Sequence, residues 1–272
     1  MKRIISLFLT LSLVLSLVAC SGQAVASDQS QSSEQSTNAV DAAQSTAHGD
    51  VVAASTSAVS QVSIDEIVAD THDSADDYTW DTASEIAVTL NGDSASANSA
   101  AVTVSGSVVN ITASGVYRVS GTLTDGLLLV NSDDDGTVKL ILDGVTINNS
   151  TGSVIFIEKA EKVVLILADN SVNQVADGST YTDNEEDAPN AAIFSKSDLT
   201  LYGNGSLAVT GNYNDGITSK DGLIIASGTI SVNAVDDGIR GKDYMVVKNA
   251  SLDVTAQGDA LKSDNEDETT PG

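Results

Sequence analysis

Residues 215–247 read DGITSKDGLIIASGTISVNAVDDGIRGKDYMVV, and Asp-Gly-Ile occurs in them twice, at Asp215 and Asp237, 22 residues apart. A weaker copy, GDALKSD, sets Asp259 a further 22 residues on. Self-similarity at one short period marks a stacked repeat. Each full copy holds three short β-rich runs in the same order; in the first they are 217–220, 223–225 and 229–233. Upstream, AAIFSKSDLTLYGNGSLAVT (191–210), SVIFIEKAEKVVLILADNSVNQV (153–175) and GLLLVNSDDDGTVKLILDGVTIN (126–148) fit the same frame. AVTVSGSVVNITASGVYRVSG (101–121) is read as the first copy. Three strands per turn of about 22 residues predict an all-β, right-handed parallel β-helix, with equivalent Ile, Leu and Val stacked about 4.8 Å apart. A β-sandwich is also built from many short strands, but it has no reason to keep a constant period with identical punctuation.

The period begins only after a different kind of sequence. MKRIISLFLTLSLVLSLVAC (1–20) has a basic head, an apolar run and a small residue before cysteine, the pattern of a secretory leader. Its end, LVAC, resembles the lipobox of bacterial lipoproteins. That resemblance implies acylation of Cys20 and anchorage to a membrane the chain does not span. Cys20 is the only cysteine, so no intramolecular disulfide can form. Residues 21–78 are rich in Ser, Ala, Gln, Thr and Asp, too polar to bury a core, and read as a disordered tether. As a random coil this tether would span roughly 40 Å. Residues 79–272 are left for the β-helix. The seventh copy stops after its first strand, so the natural product is expected to be longer, and exposed Leu261 is expected to favour aggregation.

The chain has 272 residues with 38 acids and 12 bases, a formal charge of −26. Loss of Lys2 and Arg3 with the leader would take it to −28. Such a field repels nucleic acid and favours cations. A monomer is expected. Both histidines, His48 and His72, fall in the tether, so the domain is read as unable to build a His-based triad or a zinc site. Asp, Asn, Lys and Arg remain, a set suited to a hard cation with oxygen ligands.

SGVYRVSGTLTDG (114–126), VKLILDGVTINNS (138–150), the run 191–232 and DDGIRGKD with GDALKSDNED together resemble the carbohydrate-binding β-helix lipoproteins of clostridia and their relatives. The resemblance covers about residues 80–272. It implies a pectate-lyase-like fold, a place at the bacterial cell surface outside the cytoplasm, and binding of calcium and acidic polysaccharides such as polygalacturonate.

Strand alternation gives the residues that could do this. One outward column is Phe194, Thr218, Arg240 and Lys262; a second is Lys196, Lys220 and Lys242. Asp198, Asp221 and Asp243 run beside them, and Asp215, Asp237 and Asp259 stand at the strand starts. Two readings stay open for these aspartates. Asp-Gly favours turns on its own account. Alternatively Asn214, Asp215, Asp236, Asp237 and Asp259 hold Ca²⁺ against uronate carboxylates, while Lys196, Lys220, Arg240, Lys242 and Lys262 bind others directly and Tyr213 and Tyr244 stack on sugar rings. A calcium-dependent lyase would use Lys220, Lys242 or Arg240 as base. A scaffold with no sugar site is the third possibility. NSDDDG (131–136) begins like a calcium loop, but Leu142 stands where the bidentate Glu belongs, so it reads as a turn. The acidic insertion DGSTYTDNEEDAPN (177–190) reads as a rim with Tyr181 available to a sugar.

Overall fold

The structure, a computed structural model, describes residues 71–183, 185 and 187–265. Cys20, the leader, the tether up to residue 70 and His48 lie outside the described residues. Within them aliphatic and β-branched runs alternate with Gly, Asn and Asp turns, and strands with two 3₁₀ turns, Ala75–Tyr78 and Thr82–Ser84, are the only regular elements.

The chain opens with β1 (Ile86–Gly92), β2 (Ala95–Ala97), β3 (Val102–Ser105) and β4 (Val108–Ile111). β5 (Gly115–Leu123), β6 (Leu127–Asn131), β7 (Thr137–Asn148), β8 (Ile155–Lys159), β9 (Lys162–Leu167) and β10 (Val172–Ala176) follow. Beyond the acidic insertion come β11 (Ala191–Ser195), β12 (Asp198–Gly203), β13 (Ser206–Gly211), β14 (Asp215–Ser219) and β15 (Leu223–Ala234). The last described strands are β16 (Ile239–Gly241), β17 (Met245–Ala256) and β18 (Leu261–Ser263).

Two sheets result, and all their pairings are parallel except the hairpins β1–β2 and β3–β4. The larger runs β10-β13-β15-β12-β9-β7-β5-β1-β2, with β17 also on β15; the smaller runs β18-β16-β14-β11-β8-β6-β4-β3. Register follows the sequence period. Ile155, Ile193, Ile217, Ile239 and Leu261 are successive partners, and so are Leu140, Leu165, Leu201, Ile225 and Val247. These ladders face one continuous core except at their last members, Leu261 and Val247, which are exposed. Each fully buried Ile or Leu in them contributes about 1.5–3 kcal/mol.

Two expectations change. The runs 223–225 and 229–233 are not two strands but one, β15, which bends at Gly228 with φ +116°. β12 and β13 do stay separate: Gly203 has φ +126°, and a Cβ there would meet the Leu167 carbonyl oxygen at 2.1 Å. The copy at 101–121 starts as the antiparallel β3–β4 hairpin, and the parallel stack continues past it through β1. The bend in β7 is held from inside. Fully buried Asn173 accepts hydrogen bonds from the Gly144 and Val145 amides, each at 3.0 Å, and donates to the Ser206 carbonyl.

Candidate functional site

The Asp-Gly turns stack into a corner, and its aspartates are spoken for. Asp215 is buried; its Oδ1 accepts the Asp237 amide at 3.2 Å and its Oδ2 accepts the Thr218 hydroxyl at 2.9 Å. Asp237 repeats the device, with Oδ1 accepting the Asp259 amide at 2.9 Å and Oδ2 accepting Lys262 Nζ at 2.8 Å. Each carboxylate thus holds the backbone of the next copy. Burial pushes the Asp215 carboxyl up, with the Thr218 hydroxyl working against it. Burial also pushes Asp237 upward, but Lys262 and the Asp259 amide together bring it below its ordinary value.

Asn214 gives its carbonyl to the Asp236 amide, while the side chains of Asp236 and Asp259 are exposed. Among the described residues, no three His, Cys, Asp or Glu side chains are grouped to hold a metal ion. The five residues expected to ligate calcium therefore do not form a cage: the two central carboxylates are already engaged by amides and a lysine.

The basic columns exist in register. Phe194, Thr218, Arg240 and Lys262 are successive strand partners. Yet Phe194 and Thr218 are buried rather than outward. Arg240 is clamped by both oxygens of Asp264, its Nε contact at 2.9 Å, which raises the guanidinium further above its ordinary value. The Lys196, Lys220 and Lys242 amides donate to Ile157, Ser195 and Ser219 carbonyls at 2.9, 2.8 and 3.0 Å, so these three residues occupy one turn of successive copies. Lys196 lies over the Phe156 ring, 5.7 Å from its centroid. Lys220 lines a cleft of about 210 Å³ with Tyr213, Asp183 and Glu185.

The tyrosines are less available than expected. Tyr181 is buried, stacks on Tyr213 at 4.2 Å and donates its hydroxyl to Asp177 at 2.7 Å. Tyr244 is half-buried, beside a residue that was assigned to the tether.

That residue is His72, and the exclusion of histidine from the domain does not hold. His72 Nδ1 lies 2.5 Å from Tyr244 Oη and 2.9 Å from Asp198 Oδ1, and Nε2 is 2.9 Å from Thr200 Oγ1. Asp221 stands close by. Burial, with Asp198 and Asp243 as neighbours, pushes its carboxyl up to about 6. His72 thus contacts the stack from seven positions before the expected boundary at residue 79.

Residues 72–85 form a strap over the outer face of the larger sheet. Lys248 of β17 pairs with Asp73, Lys162 of β9 with buried Asp77 at 2.8 Å, and Lys139 of β7 donates to the Asp76 and Thr79 carbonyls. Glu85 closes the row on Arg118 of β5, with contacts of 2.6 and 3.0 Å. Beneath the strap, outward-facing Ile141, Val164 and Ile166 form a second apolar cluster, with Trp80 and Tyr202 packed on it. Strap and neighbouring side chains bury this cluster, Trp80 and Tyr202 among them. Beside it lies a groove of about 410 Å³ bordered by Tyr78, Trp80 and Tyr202, with Arg118, Asp143 and Asp169 at its rim. Sequence reading missed this groove; Trp80, the chain's one tryptophan, is the signal that could have found it.

The model for carbohydrate-binding domain-containing proteins matches residues 105–272, and the chain belongs to that family. A carbohydrate-binding domain-containing protein of Acetivibrio thermocellus is 42% identical over 135 residues, covering 49% of this chain and 47% of that protein. The chain thus spans about half the length of this relative. The solved polysaccharide lyase-like protein from C. thermocellum, a gadolinium derivative, superposes with a TM-score of 0.65 at 36% identity, covering 68% of this chain and 75% of that one.

Proposed function

We propose that this chain is a non-catalytic polysaccharide-binding module: a right-handed parallel β-helix of three strands per coil, tethered to the bacterial surface through acylated Cys20, that holds uronate-containing polymer. One observation carries the acidic part of the reading. In a domain of strongly negative charge, Lys196, Lys220 and Lys242 recur at the same turn of successive copies. A polymer with a carboxylate on each sugar can meet such a row repeatedly, and each contact is a charge-assisted hydrogen bond. The protein's overall field opposes the approach of a polyanion, so this local row must supply the attraction. The aspartate corner does not fit a calcium cage, since Asp215 and Asp237 already hold amides, a hydroxyl and a lysine.

The test is binding of polygalacturonate to the full chain, with calcium and with chelator, beside a Lys196→Ala/Lys220→Ala variant. Binding that the variant loses in both buffers is expected; binding that the variant keeps would sink the lysine row. In cells, Cys20→Ala is expected to release the protein from membranes, and absence of lipid label on the wild type would refute the anchor.

A lyase reading has one observation in its favour. The solved neighbour is named polysaccharide lyase-like, and Lys220, with no ion pair among the described residues, borders a cleft. Arg240 is the poorer base, since Asp264 holds its proton more firmly. Unsaturated product from polygalacturonate, lost in Lys220→Ala, would establish this reading over simple binding.

A further inference from the structure

We propose that the groove under the strap is a second carbohydrate site, built for the pyranose ring of an uncharged glycan. The inference rests on the carbohydrate-binding reading but not on its uronate chemistry or on the lysine row.

The groove is an unusual feature for the outer face of a sheet. On β7, Leu140, Ile141 and Leu142 are all buried, so the usual inward–outward alternation of apolar and polar residues fails at Ile141. Ile166 on β9 repeats the exception. An outward apolar strip needs a cover, and Trp80 of the strap and Tyr202 are packed on it. The groove that these aromatic residues border, about 410 Å³, falls within the size range of small-ligand pockets, roughly 300–1,000 Å³. Three half-buried aromatic residues line it: Tyr78 and Tyr202, edge to face at 4.8 Å, and Trp80. The negative face of such rings attracts the weakly positive C–H groups of a sugar ring.

The aromatic wall is fixed in advance. Trp80 Nε1 donates to Glu85 at 2.9 Å, Glu85 holds Arg118, and Arg118 reaches Asp143 at 3.0 Å. Little side-chain freedom is left to lose on binding. The rim then decides the charge class. Arg118 is matched by two carboxylates, Glu85 and Asp143, and Asp169 adds a third without a cation beside it among the described residues. The rim is net negative: a uronate is repelled, whereas sugar hydroxyls find acceptors at Asp143 and Asp169 and an amide at Asn204.

Trp80 reports directly on its own site because it is the sole tryptophan. The full chain is titrated with neutral gluco-, xylo-, manno- and galacto-hexaoses and with polygalacturonate, followed by tryptophan emission and calorimetry. At least one neutral hexaose should shift the emission saturably, and Tyr202→Ala should weaken it by about tenfold. Lys196→Ala/Lys220→Ala should leave that binding intact. Should Tyr202→Ala fail to fold, Asn204→Arg, at an exposed rim position, should block the groove and abolish the response by calorimetry. Polygalacturonate binding with no neutral hexaose bound overturns this inference and leaves the lysine row standing. Neutral binding that survives Asn204→Arg or a folded Tyr202→Ala places the sugar elsewhere and overturns it too. Silence with every glycan removes both readings together.

Discussion

The aspartate corner and the strap are both made of carboxylates meeting cations, yet they do opposite things with them. At the corner, Asp215 and Asp237 turn inward to hold the amides of the next copy, and Lys262 is drawn in to balance one of them. At the strap, Lys139, Lys162 and Lys248 reach out from the sheet to fasten a segment that shares no period with it. The corner is a repeated solution to a backbone problem. The strap is a single, long-range closure, and it leaves apolar and aromatic surface open beside it. At the corner, repetition marks what the fold needs; at the strap, the surface left open is where the pattern breaks.

The largest test of this contrast is Lys162→Met. It strands the Asp77 carboxylate, 2% exposed, without its cation, so stability should fall by about 3 kcal/mol in urea unfolding. A change near zero would mean the strap is not clamped there. Next is Asp215→Ala, which leaves the buried Asp237 amide without its acceptor and should cost about 2 kcal/mol. Asp237→Asn keeps an acceptor for Asp259 but loses the partly exposed Lys262 pair, and should cost about 0.5–1 kcal/mol. Its melting temperature, like that of the wild type, should be the same with calcium as with chelator; a rise with calcium in the wild type alone would return the corner to metal binding.

The smallest effect is a matter of pH. Asp221 has a folded value of about 6 against an ordinary 3.8, so the folded state takes up its proton more readily than the unfolded chain. The ionised group therefore weighs against folding at pH 7, and this penalty disappears as pH falls from about 6 towards 4. Asp221→Asn should accordingly raise the melting temperature slightly at pH 7 and make no difference near pH 4. A gain independent of pH would point to packing rather than charge.

The stack was legible in the sequence because parallel pairing sets like on like. Ile217, Ile239 and Leu261 are neighbours in space at the interval separating them along the chain, and the column Phe194–Thr218–Arg240–Lys262 was read in its correct register. Alternation could not show that Phe194 is buried, since its ring packs against Phe156 from another copy. Nor could a turn motif show that Asp215 spends one oxygen on the Asp237 amide and the other on the Thr218 hydroxyl. The strap left no periodic trace at all: His72 meets Tyr244 across 172 residues, and nothing in the composition around it sets it apart from a tether.

The direction in which the strap runs has a mechanical consequence. Upstream chain enters at Thr71, and the first fastenings, His72 and Asp73, are to β12 and β17, late in the stack; Asp77 and Asp76 then meet β9 and β7, and Glu85 meets β5. Only after this does the chain become β1. Tension on the upstream segment would otherwise pull straight on β1 and peel the stack from its first strand. Routed through the strap, the same tension is shared among β17, β12, β9, β7 and β5 before it reaches β1.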